Sequence, residues 1–582
     1  MSRLKVYAGF FMLAFALAIA GCGGTSSDGG GSSKTTSNDV FTCTTGSAAP
    51  KSRETLFRPV PVKPRGSATG TIVKEGGVIL YATGTSTISG KVEYEDRTFN
   101  STGFTGIANM PVRFARVQAV ENGTTVLKET TAAADGSYTL SSFAHGAGAI
   151  TVRALTDTVS SYAATVRDSR DSSIYAVVSA DLSSSLPATL SNQNLLADVS
   201  GAGPAFNIFD NMILAQEGLQ QFAPATPLSQ ITAYWYSGGQ SSICVTCYTN
   251  SKIYLSGLSS DDDSYDDTVI LHELGHYAAA AYSRDDSPGG SHTLTGHYDL
   301  RLAWSEGWAT FFGSLVRAVS GVSSPEYYVD TATTTWSYEI ESITAYNTNV
   351  TSANTLGADN EVAVSAVLWD IYDANNEGAW DTLSMGWTEI WSIFDNDLPT
   401  ASVATFETFW DKWETTAYSG QLAPLMAATG RDIRYSADTY ESGAGDDTSV
   451  AARTVAAGTS EQHTFFPAGD KDWLKISVTN GTQYTFKTES LGDGADTLLT
   501  LYDSDGTTPK AQNDDDPDKA GSSSKIQRQA SKIVCTAKVD RTIYILAEPY
   551  RQLTTSDPDY DAASNPTAVA KYGYYTLTIT SP

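Results

Sequence analysis

The chain has 582 residues, of which 41% are hydrophobic and 18% are charged, so it can form hydrophobic cores and is long enough for several domains. Its 37 Lys and Arg residues stand against 65 Asp and Glu residues, which gives a formal net charge of −28 at pH 7. This charge argues against nucleic acid as a partner and against binding to a bare anionic membrane surface, because association would begin with electrostatic repulsion.

The N-terminus has the pattern of an export signal. Two basic residues precede an apolar run at 6–20, which is shorter than the roughly 20 residues of a membrane-spanning helix. The run ends in I-A-G-C, which resembles a bacterial lipobox, in which the thiol of Cys22 is acylated. We therefore expect a lipoprotein signal peptide at 1–21, the alternative being an ordinary signal peptide with a chance cysteine. Gly23 in place of Asp favours the outer membrane if the cell has two membranes, with the protein at the cell envelope surface or released from it.

The next part of the chain predicts a tether and a first β domain. Residues 22–85 begin with a Gly-, Ser- and Thr-rich stretch, which is typical of a flexible linker. Short strands follow in 86–156, where residues 88–94 alternate with period two and a D-G-S-Y turn stands at 135–138. This series resembles the transthyretin-like or carboxypeptidase-regulatory β-sandwich, a spacer or binding module. Residues 157–199 are interpreted as a linker or domain edge.

Two of the cysteines that remain after Cys22 are close in sequence. Cys244 and Cys247 frame the motif C-V-T-C, which outside the cytoplasm predicts a small-loop disulfide. Free thiols and a redox site are the alternatives, although a redox site needs a βαβ context that the Tyr- and Ser-rich surroundings do not supply. A zinc ribbon would need a second C-x-x-C motif, and the sequence has none.

Helical patterns dominate from about residue 260 to 430, and we expect a mainly helical (α+β) domain at 200–432. Within it the motif H-E-L-G-H lies in a predicted helix with acidic residues in its first turn. His272 and His276 are four residues apart, so both imidazoles lie on one helix face and can reach one metal ion. Glu273 points about 100° away from His272, which keeps it off the metal but close to a water molecule beside it.

A tetrahedral zinc ion needs a third protein ligand besides these two histidines. Glu306 follows His276 by thirty residues in the motif W-S-E-G-W-A, enough for a loop and an antiparallel return helix. A lone carboxylate among aromatic residues is costly to bury unless it is paired or binds metal, so Glu306 is predicted as the third ligand. The alternatives are that Glu306 only pairs with a helix dipole, or that His292 or His297 takes its place. Tyr282 stands where the extended motif would place a third histidine.

These motifs resemble those of gluzincin metallopeptidases, and the fungalysin or thermolysin type is most similar. The stretch N-E-V-A-V-S-A-V-L-W-D at 360–370 is similar to a later helix of the fungalysin family. The resemblance implies a zincin-type fold and zinc-dependent hydrolysis of peptide bonds, with Glu273 as the general base. In those enzymes an Asp four residues after the glutamate often orients a zinc-binding histidine, whereas this chain has Thr310 at that position. The histidines of this chain must therefore be oriented by groups other than that Asp.

The residue that stabilises the transition state in this class is often a Tyr or His from another segment. The sequence does not choose among the candidates for this role or for a hydrogen bond to a metal ligand. These candidates are Glu361, His297, Tyr298, Tyr346 and Tyr372.

Strand patterns separated by Gly, Asp and Asn turns return at 436–582. The ordered stretches G-D-K-D-W at 469–473 and Y-G-Y-Y-T-L-T-I at 572–579 resemble the bacterial pre-peptidase C-terminal domain, a β-sandwich found beside secreted peptidases. Acidic runs at 261–263 and 513–516 suit structural Ca²⁺, although solvated loops often have such runs as well.

The sequence thus predicts a multidomain protein in which a mainly helical (α+β) zincin-type catalytic domain is flanked by two all-β sandwich domains. The predicted function is that of an exported, lipid-anchored zinc metalloendopeptidase with a protein or peptide substrate and no membrane contact besides its anchor. One alternative is a surface binding or adhesive lipoprotein whose zincin domain is degenerate and non-catalytic. Another is a zinc hydrolase for a peptidoglycan peptide. The sequence leaves the oligomeric state open.

Overall fold

The structure is a computed structural model. The predicted signal peptide and Cys22 lie outside the residues that it describes, which are 34–45, 84–146, 148–159, 162–183, 186–375, 378–441, 445–516, 518, 529–550 and 570–582. Among the helices of these residues, none combines the length and the hydropathy of a membrane span.

The first β region forms two sheets, one with the order β10-β8-β5-β6 and one in which β3 pairs with β4, β7, β11 and β12. These strands alternate between buried and more exposed side chains, as a strand with one face on a core does. In β8, for example, every second residue is buried. Residues 157–199 add edge strands to both sheets, and β9 joins a sheet of the next region instead. The strands are β3 Gly84–Asn100, β4 Gly103–Pro111, β5 Arg116–Glu121, β6 Thr125–Thr131, β7 Ser137–His145, β8 Ile150–Leu155, β9 Ala164–Asp168, β10 Ala176–Val178, β11 Thr189–Leu190 and β12 Leu195–Ala197.

The middle of the chain contains all seven α-helices of the described residues, and their apolar faces share one hydrophobic core with the first β region. The helices are α1 Gly203–Phe222, α2 Asp267–Tyr282, α3 Leu300–Val319, α4 Glu361–Tyr372, α5 Thr388–Ser392, α6 Phe406–Trp413 and α7 Ala423–Met426.

The expectation of a mainly helical domain at 200–432 is not supported, because eight short strands lie between these helices. The sequence pattern predicts strands at 231–236 and 253–255, where two of the eight lie. It does not indicate the others, since each has only two to four residues, whereas a helical stripe extends over many more. The region is therefore α+β. The strands are β13 Ile231–Trp235, β14 Cys247–Thr249, β15 Lys252–Tyr254, β16 Gly257–Leu258, β17 Asp261–Asp262, β18 Tyr327–Asp330, β19 Trp336–Glu339 and β20 Thr344–Tyr346.

Small residues bring α2 and α3 into close antiparallel contact. A Cβ added to Gly275 of α2 would lie 2.6 Å from the Cα of Ala309 on α3, and one added to Gly313 would lie 3.3 Å from the Cβ of Leu271. The contact at Gly307 is equally close, because a Cβ there would lie 2.7 Å from Val364 of α4. Glycine at these positions therefore lets the three helices approach within side-chain reach of one another.

The last part of the chain, together with residues 34–45, forms a six-stranded sheet, β1-β2-β27-β24-β29-β22, and a five-stranded sheet, β21-β23-β28-β25-β26, which enclose a separate core. We call this unit the C-terminal sandwich. Its strands are β1 Lys34–Ser37, β2 Phe41–Thr45, β21 Arg453–Thr454, β22 Ser460–Thr464, β23 Asp472–Val478, β24 Gln483–Gly492, β25 Thr497–Tyr502, β26 Pro509–Asn513, β27 Lys532–Ala537, β28 Arg541–Pro549 and β29 Tyr574–Thr580.

Part of the segment predicted as a tether, 22–85, differs from that prediction, because β1 and β2 belong to the C-terminal sandwich. Cys43 of β2 stands directly opposite Cys535 of β27, and the two form a disulfide across 492 residues of chain. The composition of the segment 22–85 could not indicate this disulfide, since the partner of Cys43 lies near the other end of the sequence. The structure also joins Cys244 to Cys247 in a disulfide.

A buried carboxylate connects α6 to the C-terminal sandwich. Glu407 of α6 accepts hydrogen bonds from the backbone N–H groups of Lys571 and Tyr572, at 2.7 and 3.1 Å. The Tyr572 hydroxyl donates to Asp411 of the same helix at 2.7 Å. The chain that leads into β29 is thereby fixed to the middle region.

Glu407 makes stability depend on pH at this contact. Burial raises its pKa from 4.5 to about 7, so the folded protein holds a proton that the unfolded chain releases near pH 4.5. The resulting stabilisation is complete below pH 4.5 and is lost as the pH rises through about 7. Glu407→Gln cannot release this proton, so it should lack this loss of stability. From pH 5 to pH 8, the unfolding free energy of Glu407→Gln minus that of the wild type should therefore increase by up to about 3 kcal/mol, measured by denaturant titration at both pH values. Glu414→Gln is the control, and an unchanged pH dependence in Glu407→Gln would contradict this role.

Candidate metal centre

The three predicted ligands converge at the contact between α2 and α3. His272 and His276 lie one turn apart on α2, and their ring centroids are 4.9 Å from each other. Both Nε2 atoms face one carboxylate oxygen, Oε2 of Glu306 on α3, at 3.1 Å from His272 and 3.2 Å from His276. One nitrogen or oxygen atom from each of the three side chains lies within 4.8 Å of the others. The antiparallel return predicted from the sequence spacing therefore brings these side chains together.

This cluster is nearly closed to solvent, with 11% or 12% of each of the three side chains exposed. Burial alone would raise the pKa of Glu306, but the charges of His292 and His276 outweigh burial and hold that pKa well below its usual range. Conversely, burial lowers the pKa of His276, but Glu306 opposes this and raises it to about 9. The carboxylate thus requires positive charge beside it, which a divalent cation can supply as well as protons can.

Hydroxyl groups hold the other nitrogen of each imidazole. The Nδ1 of His272 lies 3.0 Å from Oγ1 of Thr310, and the Nδ1 of His276 lies 3.2 Å from Oγ of Ser305. Ser305 donates its proton to Asp285 at 3.2 Å, so towards His276 it can only accept. The Nδ1 of His276 therefore bears a proton, so it is the Nε2 of His276 that faces Glu306 and is the nitrogen available to a metal ion.

Thr310 thus fills the position that the sequence left open, since its hydroxyl contacts Nδ1 of His272 where the gluzincins that the motifs resemble often have a carboxylate. We expect Thr310→Val, which removes the hydroxyl at nearly constant volume, to weaken zinc binding by about tenfold. Thr310→Ser, which keeps the hydroxyl, should bind as the wild type does. Competition with a chromophoric chelator measures both affinities, and equal affinities for Thr310→Val and the wild type would contradict the assignment.

Glu273 lies on α2 next to His272 and is buried, with 7% of the residue exposed. It is not a member of the group of converging ligand atoms. Burial raises the pKa of Glu273, and the positive charges of His276 and His272 offset part of that increase. A carboxylate with these neighbours is suited to accept a proton from water, since its pKa is shifted towards neutral pH.

The loop between α2 and α3 brings a third histidine to the cluster. His292 Nε2 lies 3.7 Å from Oε1 of Glu306, and His292 Nδ1 lies 2.8 Å from Oε2 of Glu361 at the start of α4. His292 is not among the converging ligand atoms, so this geometry favours Glu306 over His292 as the third ligand. His297 lies further away along the loop, where its Nδ1 is 3.1 Å from Asp359.

The remaining candidates from the sequence occupy different places. Tyr298 belongs to the loop, where its hydroxyl accepts the backbone N–H of Thr293 at 2.6 Å. Tyr346 lies in β20 with 40% of the residue exposed, and Tyr372 packs against Trp369 at the far end of α4.

Sequence reasoning missed three contacts of this centre. Tyr328 of β18 places its ring 5.9 Å from the His272 ring, and Ser305 and Asp285 hold His276. Ser305 could have been noticed because it precedes Glu306 directly. The other two come from separate segments, and no local pattern indicated them.

In the structure, one of the two acidic runs lies close to an aspartate that is distant from it in sequence. Ligand atoms of Asp261, Asp263 and Asp330 lie within 4.8 Å of one another. Asp263 is also bound by the Thr246 hydroxyl and Asp330 by the Ala332 N–H, so parts of both carboxylates are already occupied. Among the described residues, 513–516 contribute to no such group. Calcium at the first run stays a prediction.

In the comparison with known proteins, a family model matches the middle of the chain. Residues 221–429, which include the whole centre, match the mycolysin C-terminal domain. An uncharacterized protein of Archaeoglobus fulgidus is 30% identical over 142 residues, which is 23% of this chain and 36% of that protein, so the chain spans about a third of this relative. The middle of the chain is thus similar to a domain associated with peptidases.

Two solved structures show weak likeness. The pre-peptidase C-terminal domain of a collagenase from Bacillus anthracis is 11% identical over 22% of this chain and 94% of its own, with a TM-score of 0.16. PliG, a periplasmic lysozyme inhibitor of Aeromonas hydrophila, is 8% identical over 22% of this chain and 97% of its own, with a TM-score of 0.13. TM-scores this low support no conclusion about fold or function.

Proposed function

We propose that the protein is an exported zinc metallopeptidase that hydrolyses peptide bonds. The convergence of His272 Nε2, His276 Nε2 and Glu306 Oε2 at one buried point, with a carboxylate beside them, is the observation that supports this function most strongly. The match of 221–429 to a peptidase-associated domain is consistent with it. The proposal of a lipid anchor at Cys22 depends on the N-terminal sequence pattern alone.

The donor atoms suit zinc better than the other common divalent ions. Two imidazole nitrogens and one carboxylate form a ligand set of catalytic zinc sites, whereas Ca²⁺ and Mg²⁺ prefer sites made of oxygen atoms. When bound, zinc polarises the carbonyl of the scissile peptide bond and makes water more acidic. His272, His276 and Glu306 would hold the ion, and the hydroxyls of Thr310 and Ser305 contact the Nδ1 atoms of the two imidazoles and orient the rings.

Glu273 is the general base in this proposal. Its carboxylate takes the proton of the attacking water and transfers it to the amine that leaves, so it needs a pKa between those of a free carboxyl and an amine. The burial that raises the pKa of Glu273 acts in that direction. His292, oriented by Glu361, contacts Oε1 of Glu306 and limits rotation of that carboxylate.

Zinc content and casein hydrolysis of the same preparation test the proposal. We expect about one zinc ion per chain, loss of hydrolysis after removal of the metal with 1,10-phenanthroline, and recovery when zinc is added back. A protein that hydrolyses casein equally well without zinc would contradict it, as would a zinc-loaded protein that hydrolyses no peptide substrate.

A further inference from the structure

One turn of the C-terminal sandwich contacts the middle of the chain close to the metal centre. It follows β24, and its central residue, Asp493, is completely buried and has a positive φ of 55°. The next residue, Gly494, has a φ of 73°, and a Cβ there would lie 3.1 Å from the Cγ of Leu300 at the start of α3. Leu300 is itself buried, so the turn fills a space next to the helix that bears Glu306.

The Asp493 carboxyl group accepts two backbone hydrogen bonds from residues outside the strands of the sandwich. Its Oδ1 accepts the N–H of Ala358 and its Oδ2 accepts the N–H of Arg434, both at 2.8 Å. Ala358 is completely buried and comes just before α4. Asp493 and Ala358 are both buried, so breaking their bond would leave polar groups unpaired where water cannot replace the lost partner. This turn therefore fixes the backbone that leads into α4.

The three residues after Ala358 hold the loop at 291–298, which we call the histidine loop. Asp359 accepts the Tyr298 N–H with its carbonyl at 2.8 Å, and its carboxylate contacts the ring of His297. The Asn360 amide donates to the carbonyl groups of two loop residues, Leu294 and Gly296, at 2.9 Å each.

The last of the three residues reaches the metal centre. Glu361 contacts His292 at 2.8 Å, and His292 in turn contacts Glu306. Each member of the series from Asp493 to Glu306 is thus joined to the next by a peptide bond or by a contact within 3.7 Å.

We propose that Asp493 is a positioning residue of the catalytic site. By fixing Ala358 it aligns residues 359–361, and these hold the histidine loop with His292 against Glu306. The C-terminal sandwich is then a working part of the catalytic unit. The predicted effect on hydrolysis rests on the proposed function, whereas the effect on the histidine loop does not.

The test uses hydrogen–deuterium exchange of the full chain with Asp493→Asn and Asp493→Ala. The amides of Ala358 and Tyr298 report directly, since they donate to Asp493 and to Asp359. Asparagine keeps the size and one acceptor oxygen, so we expect exchange in peptides covering 291–299 and 356–363 to rise about tenfold, and further with alanine. Exchange within α2 should not change.

Asp505→Asn is the matched control. Asp505 also accepts two backbone N–H groups in a turn of the C-terminal sandwich, from Thr507 and Thr508, but it is exposed. This variant should exchange and hydrolyse as the wild type does. In Asp493→Asn we expect kcat to fall about tenfold while the zinc content stays the same, because the ligands remain but the loop beside them is loosened.

Unchanged exchange of the histidine loop in folded Asp493→Asn and Asp493→Ala would overturn the proposal. Failure of both variants to fold would also contradict it, since the contact would then support the whole chain. If the Asp493 variants show faster loop exchange but the wild-type protein has no peptidase activity, the positioning role stands and the proposed function is refuted.

Discussion

Glu273→Gln is expected to keep about one zinc ion per chain and to lose casein hydrolysis by about 10³-fold. Glutamine has nearly the size of glutamate, and Glu273 is not among the converging ligand atoms, so the metal centre should stay intact. The amide cannot accept the proton of the attacking water, and the general-base contribution is therefore lost. Metal analysis and initial rates on the same preparation provide both values.

The control for this variant is Glu389→Gln, which makes the same chemical change on α5. It should retain both zinc and activity. Wild-type rates in Glu273→Gln would exclude Glu273 as the base, and loss of zinc from that variant would mean that Glu273 takes part in metal binding.

Glu306→Ala should release the metal. Glu306 Oε2 is the point on which both histidine Nε2 atoms converge, so its removal leaves two imidazoles without the negative charge that favours a cation between them. Loss of a direct ligand should exceed the ~10–100-fold weakening that loss of an outer hydrogen bond causes. Chelator competition should therefore rank the affinities as wild type, Thr310→Val and Glu306→Ala, from tightest to weakest.

Glu326→Ala is the control for Glu306→Ala, because it removes a carboxylate of the same region that is not part of the converging group. If Glu306→Ala bound zinc as tightly as Glu326→Ala does, another residue would have to be the third ligand. His292 would then be the first residue to replace, since it lies beside the cluster.

The sequence predicted the inner part of the centre because local periodicity determines it. The four-residue spacing of His272 and His276 places both on one face of α2, and the interval to Glu306 allows α3 to return antiparallel. Gly275 and Gly313 then set the close approach of the two helices, although the sequence alone did not assign them that role.

The outer contacts could not be predicted, because they join segments that are far apart in sequence. Thr310 was noted only as a departure from the resembling enzymes, whereas in the structure it orients His272. The same reason applies to the Cys43–Cys535 disulfide and to the contact of Asp493 with Ala358, since no composition or spacing relates residues more than a hundred positions apart.

Anomalous diffraction at the zinc edge, from crystals of the zinc-loaded protein, tests the central claim most directly. The account predicts one dominant peak within bonding reach of His272 Nε2, His276 Nε2 and the Glu306 carboxylate. A zinc peak held by other residues, with Glu306 turned away from both imidazoles, would contradict it.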